Sequence, residues 1–480
     1  MSDKGALSYE EISDMEGKFL PENVRYMVDS MSMYSRNRFR LETVSAETAS
    51  AGRIITVNLP EGACLDLSSF RLHYDVACST TSSGGATCFA KLPNDAAQTL
   101  IQRVEVNLNG VAIEQGAQEW NTVYQMKKLG HGSISRNASV GRAVAHAEVV
   151  PDNNAEPAES LVCQDWVGFL GERSTRFVST DVWGQIQVRI TLAPNAVLVP
   201  KISGVDMENP LGTADAAAAA ALMSYSVSNI FFTIDSVSLN PIYNEMLRQR
   251  LASDDYLPLN YKEYYTFSLD NITSGASVPR FSLSSGSIDS LYGVYRDSNY
   301  LSTGVRAKQL TDAGVGASAF LANFLRFRSY NNFGGASALT DGQLRYNWSV
   351  NNVQMPQYRA TLTDALCDVN YIPDKIGMDS DGTNVASKDS FNDGKFLCGQ
   401  KLNHPTKYGC GVQSGFNSRG INTMMTWNVS GQLVPAADAT VATNPPGYGT
   451  QDTGNLSAFV CVETTAQVRA GVGKNIAVLF

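Results

Sequence analysis

Residues 100–114, LIQRVEVNLNGVAIE, contain the clearest structural signal in the chain. Val104, Val106 and Leu108 alternate with polar neighbours, which is the period of a β-strand with one buried face. Asn109-Gly110 then provides the residue types of a type I′ turn, in which both central residues take positive φ. The stretch therefore predicts an antiparallel hairpin.

The same alternation recurs through both halves of the sequence. Residues 185–192 alternate without interruption, which predicts a strand with one face on a core and one face in water or in an interface. Between residues 227 and 239 the apolar positions change parity, which predicts a β-bulge near Asp235-Ser236. Further strands are predicted around residues 55–59, 70–78, 265–269, 325–327, 346–350, 425–429, 459–461 and 476–480. The chain is predicted to be all-β with a few short helices.

Helical signals are few, and the clearest lies near the middle of the chain. Asn240-Pro241 is typical of an N-cap followed by proline at the first helical position, and apolar residues follow at helical spacing to Leu251. A second helix is predicted over residues 118–129, ending at Gly130. The order of an arm, strands, a helix and more strands predicts two similar sandwiches. The predicted boundaries are 1–45 for an N-terminal arm, 46–240 for the first sandwich, 241–254 for the connecting helix and 255–480 for the second sandwich.

Composition limits the classes of function. There are 37 Lys and Arg residues against 46 Asp and Glu, a net charge of −9, so the chain lacks the basic surface that neutralises nucleic-acid phosphates. Charged residues make up 17% of the sequence, against about 25% in a typical domain. The polar surface is therefore predicted to be mainly Ser, Thr, Asn and Gln. Direct sequence-specific binding of nucleic acid is not expected.

The N-terminus and the cysteines indicate a compartment. The first residues are acidic and lack the basic and apolar regions of a secretory signal, and no apolar run reaches the roughly 18 residues of a membrane span. We therefore expect the chain to be made inside the cell and not secreted. Its eight cysteines form no CxxC pair, so buried free thiols are expected instead of disulfides or zinc.

The residue patterns of catalysis are mostly missing. Residues 471–475, GVGKN, depart from a phosphate-binding loop and predict a tight turn between the last two strands. The four histidines have no metal-ligand spacing, Asp379-Ser380-Asp381-Gly382 matches only part of a calcium loop, and Asp254-Asp255 are predicted to be solvated. We therefore expect no enzyme activity and no catalytic, cofactor-binding or metal-binding residues.

Three phrases occur in a fixed order along the chain. The first is residues 100–114 followed by Asn121 and Tyr124, the second runs from residue 228 through the helix to Leu257-Pro258-Leu259, and the third is residues 351–358, NNVQMPQY. Together they resemble the major capsid proteins of the double jelly-roll lineage, found in virophages, polinton-like viruses and large icosahedral DNA viruses. Met355 stands where the family often has an aromatic residue.

The resemblance implies two consecutive eight-stranded jelly-roll sandwiches. It implies a homotrimer with a pseudo-hexagonal footprint that contacts neighbouring capsomers in the shell of a virion. Minor capsid proteins and vertex (penton) proteins are the further partners it implies, and contact with an inner membrane stays open. The large share of uncharged polar residues fits lateral packing of many copies.

Two other classes of function compete with this reading. Jelly rolls also occur in lectins, so a carbohydrate-binding or glycan-cleaving sandwich is the alternative, with tryptophans that stack on sugars. Those five residues lie mostly on alternating strands or on a helix face, which favours core packing; they are Trp120, Trp166, Trp183, Trp348 and Trp427. A viral spike or fibre is the third reading, and the sequence lacks the repeats of a shaft.

The last expectation concerns the N-terminal arm. Residues 1–45 have little strand periodicity, so their apolar side chains are expected to be buried against neighbouring subunits at the base of the capsomer. Arg36, Arg38 and Arg40 form the one basic cluster of the chain and are candidates for contact with an anionic surface.

Overall fold

The computed structural model describes most of the strands and the segments that connect them closely. The described residues are 35–45, 47–81, 88–92, 96–131, 158–202, 222–238, 241–254, 256–272, 277–297, 327, 344–368, 396–403, 415–420, 423–430 and 456–480. The predicted strand at 325–327 is described only at Phe327, and the calcium-like segment 379–382 lies outside these residues.

The first half of the chain forms two main antiparallel sheets. Sheet 1 has the order β1 (Ser35–Glu42), β12 (Leu222–Ser238), β4 (Cys64–Thr81), β8 (Glu159–Cys163), with β2 (Ala49–Ser50) on β12 and β9 (Phe177–Ser179) on β4. Sheet 2 has the order β3 (Ile54–Asn58), β10 (Ile186–Leu192), β6 (Ile101–Leu108), β7 (Val111–Glu114). A small third pair joins β5 (Cys88–Lys91) to β11 (Val199–Ile202).

The second half forms two more antiparallel sheets. Sheet 3 has the order β13 (Tyr256–Ile272), β20 (Leu456–Gly471), β15 (Ile288–Asp297), β18 (Cys398–Lys401), with β21 (Asn475–Leu479) on β20. Sheet 4 has the order β14 (Arg280–Ser282), β19 (Met424–Ser430), β16 (Arg345–Val350), β17 (Val353–Ala360).

The helices are short and lie between strands. They are α1 (Ala96–Thr99), α2 (Trp120–His131), α3 (Thr180–Trp183), α4 (Pro241–Asp254) and α5 (Leu362–Asp368). The two helices predicted from the sequence are α2 and α4. Helix α2 continues through Gly130 to His131, one residue beyond the predicted stop.

The two halves repeat one topology. The four-strand paths β1-β12-β4-β8 of sheet 1 and β13-β20-β15-β18 of sheet 3 correspond, as do sheets 2 and 4, and the corresponding strands follow the same order along the chain. In particular β1 corresponds to β13, β7 to β17, α2 to α5, and β12 to β20. The hairpin turn between β6 and β7 recurs between β16 and β17.

Local sequence explains these features. Asn109 and Gly110 have φ of 48° and 84°, as the predicted type I′ turn requires, and Asn351 and Asn352 have φ of 47° and 67° in the equivalent turn. The pairing of β12 with β4 shifts register between Thr233 and Asp235, at the predicted bulge, and once more between Ser228 and Phe231. Residues 471–475 form the predicted turn between β20 and β21.

Strand β1 corrects part of the predicted arm. Residues 35–42 were assigned to the arm, but they pair with β12 along their whole length. The sequence concealed this strand because its alternating positions are Arg36, Arg38 and Arg40 instead of apolar residues. Residues 1–34 lie outside the described residues.

The core of the second half is built around stacked aromatic rings. Trp348 and Trp427 stack at 5.4 Å between ring centroids, Tyr295 stacks on Trp427 at 4.7 Å, and both tryptophans are 0% exposed. Gly293 lies beneath Trp427, and a Cβ there would approach the indole to 2.9 Å. The tryptophan ring is therefore tightly packed against the backbone at Gly293.

We expect Trp427→Ala to lower the free energy of unfolding by about 3–5 kcal/mol, because it removes a fully buried ring and leaves a cavity. Chemical denaturation followed by circular dichroism measures the loss. The matched variant Val472→Ala, at a side chain that is 68% exposed, should change stability by less than about 0.5 kcal/mol. Equal losses for the two variants would contradict this account of the core.

Candidate functional site: the junction between the two halves

The most distinctive chemistry in the described chain lies where the halves meet. The end of β7, residues 115–119, helix α2 and residues 166–174 of the first half pack on the outer face of sheet 3, the face that points away from the core of the second half. An outer face of this kind ordinarily meets water. Here it is buried, and its polar side chains need partners within the protein.

Lys127 of α2 provides the central cation. Its Nζ lies 3.1 Å from Oε2 of Glu463 on β20 and 3.5 Å from Oε1 of Glu172, and all three side chains are at most 7% exposed. Burial alone would lower the pKa of Lys127, but Glu172 and Glu463 outweigh it and raise that pKa. The lysine is therefore charged, and it joins the two halves electrostatically.

A second cation comes from sheet 3 itself. Nζ of Lys262 on β13 lies 2.6 Å from Oδ2 of Asp289 and 3.2 Å from Oε1 of Glu463. Burial alone would raise the pKa of Glu463, but Lys127, Lys262 and a hydrogen bond from Tyr292 hold it below its ordinary value. Glu463 is therefore an ionised carboxylate shared by two lysines, one from each half.

A third cation, Arg296, forms an ion pair at the other end of the junction. Arg296 on β15 has a side chain that is 2% exposed, and its Nη2 donates to Glu119 Oε2 at 2.5 Å. Its Nη1 donates to Thr122 Oγ1 at 3.1 Å, within α2. The guanidinium thus binds both Glu119, which precedes the helix, and Thr122, in the first turn of the helix.

Carboxyl groups outnumber the cations nearby. Glu114 at the end of β7 is 2% exposed and accepts a hydrogen bond from Phe169 N at 3.0 Å. Burial, with the neighbouring Glu263 and Glu172, raises its pKa well above its ordinary value. Burial also raises the pKa of Glu263 to about 7, although Tyr265 and the amides of residues 115 and 116 oppose the rise. These two carboxyls hold protons at mildly acid pH because burial disfavours their charged forms.

Backbone contacts fix the same surfaces in register. Lys262 N donates to Glu172 O at 2.9 Å, and Ser174 N donates to Asn260 O at 2.8 Å. The hydroxyl of Tyr264 donates to Glu172. Gly116 approaches β13 so closely that a Cβ would lie 2.5 Å from Tyr264 O. Glycine is required there by the close approach of two backbones.

The charged groups of the junction are partners of one another. Lys127, Lys262 and Arg296 each pair with a carboxylate of the same region, and their side chains are at most 5% exposed. Within the described residues no cluster of three or more metal-ligating side chains occurs. None of the helices in the described part of the chain has the length and hydrophobicity that a membrane span requires.

The residues that the sequence offered as candidates for catalysis or metal binding do not lie together. His73 lies on the outer face of sheet 1, where it stacks on Phe231 at 4.6 Å and its Nε2 lies 3.1 Å from Thr233 Oγ1. Asp254 ends helix α4, while His146 and His404 lie outside the described residues. The cysteines that the structure describes are free thiols: Cys64, Cys78, Cys163, Cys367, Cys398 and Cys461.

The basic cluster on β1 has internal partners. Arg38 Nε donates to Asp235 Oδ1 at 2.7 Å, and Arg36 binds Asp235 and Asp66 at 2.5 and 3.1 Å. Arg176 contributes a further bond to Asp66 at 2.8 Å. Arg40 Nε donates to Glu42 Oε1 at 2.8 Å. All three arginines proposed for an anionic partner therefore bind carboxylates of the chain itself, although their side chains stay about half exposed.

None of the junction residues was singled out from the sequence. Lys262 and Glu463 occupy polar positions in alternating strands, and such positions predict exposure to water. The available signal was weak: charged residues inside the long strands β13 and β20, whose other polar positions are mostly uncharged.

Comparison with known proteins identifies the fold. No family model and no curated protein sequence matches the chain. The chain is similar to the crystal structure of PBCV-1 VP54 fitted into a reconstruction of the virophage Sputnik, with a TM-score of 0.54 and 12% identity over 94% of this chain and 97% of that chain. It is also similar to the PBCV-1 capsid (0.52, 11%, 94% and 97%) and to the Faustovirus major capsid protein (0.52, 8%, 96% and 94%). The predicted double jelly-roll fold is confirmed.

We expect Lys127→Met to destabilise the chain by about 3–5 kcal/mol, because it leaves Glu463 and Glu172 buried with less compensating charge. The double variant Lys127→Met/Glu463→Gln should recover part of that loss. Denaturant unfolding of the two single variants and the double variant forms a cycle that measures the coupling. Strictly additive effects would show that the 3.1 Å contact does not join the halves energetically.

We expect the free energy of unfolding to depend on pH through Glu263. The folded protein holds a proton on this carboxyl up to about pH 7, whereas the unfolded chain releases it near the ordinary value of 4.5. The folded state therefore binds more protons in this window, and its stability falls as pH rises from 4.5 to 7. The loss attributable to Glu263 is of the order of 3 kcal/mol.

The thermal unfolding midpoints of the wild type and of Glu263→Gln are measured between pH 5 and 8. The difference between them isolates the effect of Glu263. The variant should gain stability relative to the wild type as pH rises. Glu42→Gln, at a side chain that is 58% exposed, is the control and should follow the wild-type profile. Parallel curves for wild type and Glu263→Gln would refute the assignment.

Proposed function

We propose that the chain is the major capsid protein of an icosahedral virus. The observation that supports this most directly is the fold, which two PBCV-1 capsid structures and the Faustovirus major capsid protein share over 94–96% of this chain. Fold alone does not determine function, so the proposal also rests on the surfaces that the fold presents.

The outer faces of sheets 2 and 4 carry amide side chains that hydrogen-bond between neighbouring strands, and in sheet 2 they lie beside charged residues such as Glu105 and Arg189. In sheet 2, Gln187 Nε2 donates to Asn58 Oδ1 at 3.0 Å and Asn107 Nδ2 donates to Gln187 Oε1 at 3.4 Å. In sheet 4, Asn428 Nδ2 donates to Asn347 Oδ1 at 3.0 Å. Amide ladders of this kind present donors and acceptors without a cost for burying charge, which suits packing between identical blocks.

The subunit would act as a homotrimer. Each chain contributes two jelly rolls of the same topology, so three chains give six similar rolls and a pseudo-hexagonal outline that tiles a shell. The boundaries we propose are a connecting helix at 241–254 between rolls at 46–240 and 255–480, with strand β1 added to the first roll.

The remaining assignments follow from this role. The protein would reside in the virion, after synthesis and assembly inside the host cell. Its partners would be its own copies, neighbouring capsomers, and minor capsid and vertex proteins. Direct sequence-specific binding of nucleic acid is not part of the proposal, since the net charge is −9, and neither is enzyme activity.

The carbohydrate-binding alternative has no support in the described surfaces. It required tryptophan faces open to a sugar, but all five tryptophans are buried, with exposed fractions between 0 and 8%. Their stacking partners are core aromatic rings, for example Trp166 with Trp120 and Phe70.

We expect the purified full-length chain at micromolar concentration to sediment as a species of three times the chain mass of 51.9 kDa. Negative-stain images should show hexagonal blocks, because closed cyclic symmetry buries the contact surfaces of every copy. The same preparation applied to a glycan array should give no specific signal. A stable monomer with glycan binding would overturn the proposal in favour of the alternative.

A further inference from the structure

An amine and a carboxyl group lie in contact inside sheet 3. Nζ of Lys262 is 2.6 Å from Oδ2 of Asp289, and the two side chains are 2% and 1% exposed. Oε1 of Glu463, on a side chain that is 1% exposed, lies 3.2 Å from the same nitrogen. A nucleophile, an acyl group and a second carboxylate that can carry a proton therefore meet at a buried point.

The strands of sheet 3 bring these groups together. β13 and β15 pair with β20 from its two sides. Lys262 of β13 lies opposite Thr465 of β20. The pairing of β15 with β20 shifts register between Ile288 and Ser290, so Asp289 is the extra residue of a bulge. A bulge redirects the side chain of its extra residue. The lysine thus reaches across β20 to the aspartate on the far strand.

Hydrogen bonds hold the carboxyl group of Asp289 in one orientation. Thr465 Oγ1 donates to Oδ2 at 2.5 Å, and Ser287 Oγ donates to Oδ1 at 2.7 Å. The Ser287 oxygen accepts a hydrogen bond from Gly415 N at 2.9 Å, which leaves its own proton for Asp289. A Cβ at Gly415 would lie 2.5 Å from Oδ1, so the chain closes tightly over the carboxyl group. Each carboxyl oxygen therefore has a fixed donor beside the amine.

Burial disfavours the charged forms of the pair. It raises the pKa of Asp289 together with Glu463, against the opposing effect of Lys262. Removing an ammonium and a carboxylate from water costs several kcal/mol each. Transfer of one proton across the 2.6 Å contact yields a neutral amine and a carboxylic acid and relieves that cost. The amine is then a nucleophile, and the acid carries a hydroxyl that can leave.

We propose that Lys262 and Asp289 condense to an amide that cross-links β13 to β15, with Glu463 as the catalytic proton carrier. After the proton transfer, Nζ attacks Cγ of Asp289, and Ser287 stabilises the negative charge that develops on Oδ1. Glu463 takes the surplus proton from Nζ and delivers it to Oδ2. The C–Oδ2 bond breaks, and water leaves. One ammonium and one carboxylate thus become one amide and one water, and no other reactant is consumed.

Proximity makes this condensation favourable. Groups held in reactive contact behave as if they were present at about 10⁵–10⁸ M, which opposes hydrolysis of the amide. The product also replaces two buried charges by a neutral group, which removes the cost of burying them. The cross-link concerns a single chain, so it does not depend on the proposed capsid function.

Intact mass spectrometry of the denatured full-length protein tests the cross-link, because an ion pair separates in denaturant and an amide does not. The wild type should be lighter than its sequence mass by one water molecule. Trypsin cleaves after Lys and Arg, so it should release residues 251–280 joined to residues 281–296 as one branched peptide, uncleaved after Lys262. The full sequence mass, with residues 251–262 and 263–280 as separate peptides, would overturn the proposal.

Variants test the roles of the individual groups. Asp289→Asn should form the same amide with loss of one ammonia instead of one water, a mass change that an ion pair does not produce. Glu463→Gln should lower the yield of branched peptide about tenfold or more, because proton transfer by a positioned side chain contributes at least that much to a rate.

The control is Glu114→Gln, the same change at another buried glutamate, which is 2% exposed and bound to Phe169 N. It should be cross-linked as fully as the wild type. Circular dichroism of each variant shows that the fold is retained. A folded Glu463→Gln with the wild-type yield of branched peptide would overturn the role given to Glu463.

Discussion

Burial of charge on the outer face of sheet 3 is the constraint on which the arrangement of the two rolls depends. Glu463, Asp289 and Lys262 lie on that face with exposed fractions of 0 to 2%. Removing ions from water costs several kcal/mol each unless partners replace the lost hydration. Lys127 and residues near Glu172 provide those partners, and they belong to the other roll. The second roll therefore depends on the first to cover its charged face.

A buried ionic junction contributes more to the specificity of packing between the rolls than to their stability. Well-packed apolar residues often stabilise an interface as much as an ion pair or more, but they tolerate sliding. The pairs at Lys127 and Arg296, with the close approach at Gly116, are satisfied in one register only. We infer that the junction fixes the angle between rolls, as the proposed role in a shell requires of every copy.

The sequence predicts what depends on neighbouring residues and misses what depends on distant ones. Alternation at 104–108, the Asn109-Gly110 turn and the parity change before Asp235 are local patterns, and the structure shows each of them where it was predicted. Strand β1 and the junction depend on pairings across the chain, such as Arg38 with Asp235 and Lys127 with Glu463. In a single sequence a charged residue in an alternating strand predicts exposure, because nothing local shows that a second roll will cover it.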